Sequence, residues 1–154
     1  MLMTVGENDA EGQARLNALR RGLNQLGWAE GKNLAIEYRW AGGDIGRLRS
    51  YATELVGLAP DIIIANSTPA LATLHAATTT IPVVFVMVVD PVGLGYIASL
   101  SHPGGNITGF TYMEVFADRK MAGSAQRDRA SHHPHSLSFQ PGHRALLQDF
   151  SKLV

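Results

Sequence analysis

Cysteine is absent from the 154 residues, which removes disulfides, thiol nucleophiles and cysteine-bound zinc from consideration. Net charge is absent too: thirteen basic residues balance thirteen acidic ones, so no global field draws the chain to nucleic acid or to an anionic membrane surface. No apolar run approaches the length of a membrane span, and the longest, residues 81–89, is strand-sized and contains Pro82. The opening "MLMTVGEND" lacks the basic start, long apolar stretch and small-residue cleavage site of a secretory signal, so the chain as written is expected to stay in the cytoplasm. Enzyme signatures are missing as well. "GENDAEG" does not end in the Gly-Lys-Ser/Thr of a phosphate loop, and the chain has neither a dinucleotide-binding glycine fingerprint after its first strand nor a serine nucleophile elbow. No cofactor and no catalytic activity are expected.

What is present is a regular alternation of strand and helix patterns. A short apolar strand at the start runs into a polar loop, and a helix follows in which Leu16, Leu19, Leu23 and Leu26 recur at helical spacing, with Gly27 as its stop. Residues 33–40 alternate as a strand should, with Leu34, Ile36 and Tyr38 on one face and Glu37 and Arg39 on the other. Asp44 can cap a second helix, striped by Leu48, Tyr51, Ala52 and Leu55 and stopped by Pro60. Then come a strand at residues 61–65, a helix at 68–78, a strand at 81–90, a short helical segment at 91–100 and a strand at 106–111. The strands at 61–65 and 81–90 are apolar on both faces, as central parallel strands covered on both sides must be. The series implies an α/β fold, a three-layer sandwich around a mostly parallel sheet.

In open parallel sheets of this kind ligands bind beyond the carboxyl ends of the strands. Asn66, Ser67 and Thr68 follow the third strand, with Thr68 placed to cap the next helix and Pro69 at its first position. Such a terminus offers unpaired N–H groups and the positive end of a dipole, which suits a carboxylate or phosphate. Gly6, Glu7 and Asn8 follow the first strand, Asp90 and Pro91 the fourth, and Thr111 and Tyr112 the fifth. Asp90 could hold an ammonium group while the residue 66–68 loop holds a carboxylate, which together describe an amino-acid-like zwitterion. Asp90 also reads as a plain turn residue before Pro91. Arg39 and Trp40 fall at a strand end, where an arginine is more often part of a solvated face; His75 reads as a surface or packed histidine and His102 as a turn residue. The "HHPH" at residues 132–135 is broken by Pro134 and has no carboxylate or cysteine partner at a recognisable spacing, so no metal site is expected.

The stretches "GQARLNALRRGLNQLGWAEGKNLAIEYRWAGGD", "LAPDIIIANSTPALATL" and "IPVVFVMVVDPVGLGYIASLSHPGGNITGFT" resemble the substrate-binding proteins of ABC transporters, in the subfamily similar to tryptophan- and tyrosine-binding lipoproteins. The resemblance covers residues 2–115. It implies two α/β lobes of the periplasmic-binding type, joined by a hinge and closing on a small-molecule ligand, with export to the periplasm and delivery of the ligand to an ABC permease. It also implies a ligand cleft lined by Ser67, Thr68 and Asp90, with Asn66 and Thr111 beside them. On this reading residues 1–115 form the first lobe, with signal peptide and second lobe missing, and weak or absent binding is expected of half a cleft. An exposed lobe face would favour self-association. A cytoplasmic regulatory or enzymatic domain on the same sandwich, or a non-functional pseudogene product, are the competing readings.

Beyond Val115 the character changes. From Phe116 onward there is no isoleucine, valine appears only at the last residue, and four of the six histidines gather there. Seven basic and ten acidic residues precede this point, and six basic and three acidic follow it. Read one nucleotide out of register, the codons for Met121 and Ala122 spell tryptophan. Their neighbours permit an amphipathic helix, and those for residues 138–146 permit a segment resembling the start of the family's second lobe. The hypothesis is that residues 116–154 are a poorly ordered, out-of-frame tail; sequencing a gene that lacks the displaced frame would rule it out.

Overall fold

The computed structural model describes residues 1–113. The expectations for residues 116–154, the frame-displaced tail and the histidine cluster among them, lie outside the described residues. In chain order the elements are β1 (Leu2–Met3), α1 (Ala10–Gln25), β2 (Arg39–Trp40), α2 (Ile45–Gly57), β3 (Ile63–Asn66), α3 (Thr68–Ala77), β4 (Val83–Val89) and β5 (Ile107–Met113). All strands run parallel in one sheet of order β2-β1-β3-β4-β5.

Alternation along the strands divides the core in two. Leu2, Ile63, Ala65, Val83, Phe85, Val88 and Ile107 pack against Leu48, Ala52 and Leu55 of α2 and Ala70, Leu71 and Leu74 of α3. On the opposite face Met1, Met3 and Ile64 meet Leu16 and Leu23 of α1, with Leu34, Ile36, Tyr38 and Val86 at the margin. Helices on both faces of a parallel sheet make the three-layer sandwich expected of two-sided apolar strands. Helices α1 and α2 start on side-chain caps: Asp9 accepts from the Gly12 N–H at 2.7 Å and Asp44 from the Arg47 N–H at 3.0 Å.

Two expected elements differ. Of residues 33–40 only Arg39 and Trp40 join the ladder, paired with Leu2 and Met3 of β1: the Arg39 N–H donates to the Met1 carbonyl and the Ala41 N–H to that of Met3. The preceding stretch is held by side chains instead, with Tyr38 and Glu30 both bonded to Arg20 of α1, at 3.2 and 2.9 Å. The segment after Asp90 is a turn rather than a helix. Its backbone bonds run from Leu94 to Asp90, Gly95 to Val92 and Tyr96 to Pro91, and Gly93 and Gly95, the latter at φ 77°, interrupt any helical run.

β4 carries a bulge at Met87, φ 58°, where its register against β5 shifts between Val86 and Val88. Below the bulge the two strands approach closely at Gly109, where a Cβ would overlap the Phe85 carbonyl oxygen and lie 2.6 Å from the Phe85 amide nitrogen. Phe110 and Tyr112 of β5 are exposed. Among the described residues no helix is long and apolar enough to cross a membrane.

Candidate functional site

The strand order defines the site before any side chain does. From β1 the chain moves to one side to make β2, then returns past β1 to make β3, β4 and β5 on the other. The switch point lies between β1 and β3, and at such points the loops leaving adjacent strands diverge and open a crevice at the carboxyl ends. Thr4 leaves β1 there and Ser67 leaves β3.

Side chains stitch these strand ends together. The Thr4 hydroxyl donates to the Asn66 carbonyl at 2.9 Å and is also hydrogen-bonded to the Ser67 hydroxyl. Thr68 Oγ1 accepts from the Val89 N–H at 3.2 Å, tying α3 to the end of β4. The Thr111 hydroxyl donates to the Val88 carbonyl at 2.8 Å, tying β5 to the same end. Asn66, Ser67, Thr68, Asp90 and Thr111 thus lie along one crest of the sheet.

Within that crest the roles expected from sequence shift by one residue. Ser67, not Thr68, occupies the cap position of α3; Thr68 is the first helical residue and Pro69 follows it. Ser67 does not cap. Its φ of 98° turns its hydroxyl toward Thr4, and among the described residues no side chain accepts a hydrogen bond from the first turn of α3. Where α1 and α2 each have one first-turn N–H bound by an aspartate, α3 begins without a side-chain cap at the switch point.

Asn66 is the last residue of β3 and 2 % exposed. Its backbone carbonyl is satisfied by Thr4, yet among the described residues no hydrogen bond reaches its side-chain carboxamide. A buried amide with neither donors nor acceptor paired carries a desolvation penalty of about 1–3 kcal/mol unless something outside the chain satisfies it.

Asp90 takes the turn role and keeps part of its chemistry. Its backbone sits at φ 46°, and Oδ1 accepts from the Gly93 N–H at 2.9 Å. A Cβ at residue 93 would overlap Asp90 Oδ2, so a glycine there is what lets the carboxylate fold over the turn. Ser67, Met87 and Asp90, three of the four non-glycine residues with positive φ among the described residues, are at or near the carboxyl ends of β3 and β4. Backbone strain gathered at one sheet end is a common mark of functional sites.

Arg39 is drawn away from the crevice and held by Glu54 at 3.0 Å and Glu37 at 3.3 Å. Gly6, Glu7 and Asn8 form a turn in which the Asp9 N–H donates to the Gly6 carbonyl. His75 stacks edge-on against Tyr96, ring centroids 5.3 Å apart, as a packing residue. Among the described residues no three His, Cys, Asp or Glu side chains are grouped to hold a metal. Thr4 escaped sequence reasoning because nothing in "MLMTVGEND" says that β1 and β3 are neighbours; the signal would have been the strand order itself.

An apolar cavity of about 310 Å³ lies at the other end of the sheet, lined by Met1, Leu23, Leu34, Ile36, Leu55 and Ile63 among others. It adjoins the amino ends of β1 and β3, where α1 and α2 terminate rather than begin, so no helix N-terminus faces it among the described residues, and its polar lining is Glu37, Asp61 and the Met1 amine.

Comparison with known proteins identifies the family. The family model described as ABC transporter substrate binding protein matches residues 7–120. A tyrosine-binding protein of Clostridioides difficile is 36 % identical over 89 residues, which is 58 % of this chain and 26 % of that protein. A conserved domain protein of Vibrio cholerae superposes with a TM-score of 0.66 at 37 % identity, covering 73 % of this chain and 38 % of that one. The ABC domain of Streptococcus pneumoniae, solved in complex with L-Trp, gives a TM-score of 0.66 at 26 % identity over 71 % of this chain and 36 % of that one. The chain therefore spans about a quarter to two fifths of the length of these relatives. With the family model running through β5 and the fold shared with solved members, the chain belongs to the ABC transporter substrate binding protein family.

Proposed function

We propose that the crevice at the carboxyl ends of β1, β3 and β4 holds a small amino-acid-like or carboxylate solute, and that the whole protein captures this solute outside the cytoplasmic membrane for an ABC permease. The observation that carries the reading is the buried carboxamide of Asn66, unpartnered among the described residues, directly before the uncapped N-terminus of α3. A carboxylate placed there would accept from the first-turn N–H groups and the Thr68 hydroxyl and lie on the favourable end of the helix dipole. Asn66 supplies both a donor and an acceptor beside it. Asp90 Oδ2, not used by the Gly93 turn bond, is the group for an ammonium. Thr111 holds the β4 end in place through Val88. The ligands named for the relatives, L-Trp and tyrosine, are amino acids with both charges and an aromatic body. The function is capture rather than turnover.

Titration of the 154-residue chain by ligand-detected NMR tests this. An open strand-end crevice buries less of a ligand than an enclosed pocket, so millimolar affinity is expected for L-tryptophan and L-tyrosine and no response for ATP. A response to ATP with none to either amino acid would favour a regulatory or enzymatic domain instead.

A further inference from the structure

Thr4 has one hydroxyl proton and two oxygen neighbours, the Asn66 carbonyl at 2.9 Å and the Ser67 hydroxyl. If that proton pointed at Ser67, the carbonyl of a 2 % exposed residue would face an oxygen lone pair across 2.9 Å. Half-buried Ser67 has no such constraint. The proton of Thr4 therefore goes to Asn66, and the hydrogen bond between the hydroxyls takes its proton from Ser67. Ser67 is left with lone pairs and no proton for a ligand. Thr68 is the reverse: its oxygen already accepts from Val89, so its proton remains to be given. Two consecutive hydroxyls at the switch point present opposite polarity.

We propose that Thr4 is a positioning residue that locks the Ser67 hydroxyl as a hydrogen-bond acceptor, so that the site selects solutes carrying an ammonium group adjacent to the carboxylate that Thr68 and α3 receive. This inference rests on the amino-acid reading given above and adds to it the source of discrimination against deaminated acids. Asp90 supplies attraction for positive charge, and Ser67 supplies direction at the atom next to the carboxylate.

The test compares L-tryptophan with indole-3-propionate, which has the same ring and carboxylate but no amine, by NMR titration of the full chain. The wild type should prefer L-tryptophan by about tenfold, the scale of one hydrogen bond to a charged group. Thr4→Val frees the Ser67 hydroxyl to rotate and donate, and should shrink that preference severalfold, while Thr4→Ser should restore it. Ser67→Gly removes the acceptor in a residue whose φ of 98° suits glycine, so it should fold and show the same loss; it decides the matter if Thr4→Val does not fold. An unchanged ratio in Thr4→Val, or in Ser67→Gly, overturns the role of Thr4 and leaves the amino-acid reading standing. A wild type that responds to neither probe overturns that reading and this inference with it.

Discussion

On the proposed reading Asn66 is at once a ligand-binding residue and a stability defect. Its carboxamide is buried without a hydrogen-bond partner among the described residues, so replacing it with an apolar side chain of similar shape should help the fold and harm the proposed function. Asn66→Leu is expected to raise unfolding stability by about 1 kcal/mol in urea titrations and to abolish the response to L-tryptophan. Destabilisation by that variant would mean the carboxamide is satisfied within the chain. A second residue-scale effect belongs to the Met1 amine, which donates to the Glu37 carbonyl at 2.6 Å. Burial first, and the nearby Arg39 charge second, push its pKa down from 8.0 to about 5. Between these values the unfolded chain binds a proton that the folded chain does not, so stability should climb as pH rises from 5 to 8 and level off above. N-terminal acetylation removes the titrating group, and the difference between the urea midpoints of free and acetylated chains across that range measures its contribution. A constant difference would show that the amine is solvated.

At the scale of elements, β4 and β5 approach each other closely at Gly109. Gly109→Ala would drive a methyl group into the Phe85 backbone, which has no flexible end to swing away. A loss of about 3 kcal/mol in denaturant titration is expected, and a loss under 1 kcal/mol would mean the two strands can part. The same elements show what could be read from the sequence. Periodicity located α1, α2 and α3, Asp44 announced its own cap, and the two-sided apolar runs of β3 and β4 required a covered parallel sheet. Residues 33–38 keep their alternating face in the core but not their ladder, because pairing depends on how much of β1 is alongside. The segment after Asp90, expected to be helical, is a turn, because its glycines and the Asp90 bond to Gly93 decide otherwise. The one-residue shift from Thr68 to Ser67 at the start of α3 arises from a positive φ, which side-chain type alone does not disclose.

For the whole molecule, strand order brings a row of small polar residues together at one end of the sheet, where the proposed site lies. Asn66 and Ser67 were legible as candidates in the sequence, but Thr4 became one only when β1 was placed beside β3. The neighbouring strand ends are then held by side chain to backbone bonds at Thr4, Thr68 and Thr111, which preorganise the crevice without closing it. The apolar cavity at the amino ends of the sheet serves as a control surface, because a ligand attracted by hydrophobicity alone would go there. The most direct measurement is therefore a two-dimensional nitrogen–proton NMR titration of the full chain with L-tryptophan, following backbone and side-chain amides together. The account predicts that the Asn66 carboxamide and the amides of Thr68 and Ala70 shift first and along one binding curve. Shifts confined to the lining of the amino-end cavity, at Leu34, Ile36 and Ile63, with Asn66 and α3 unmoved, would contradict it.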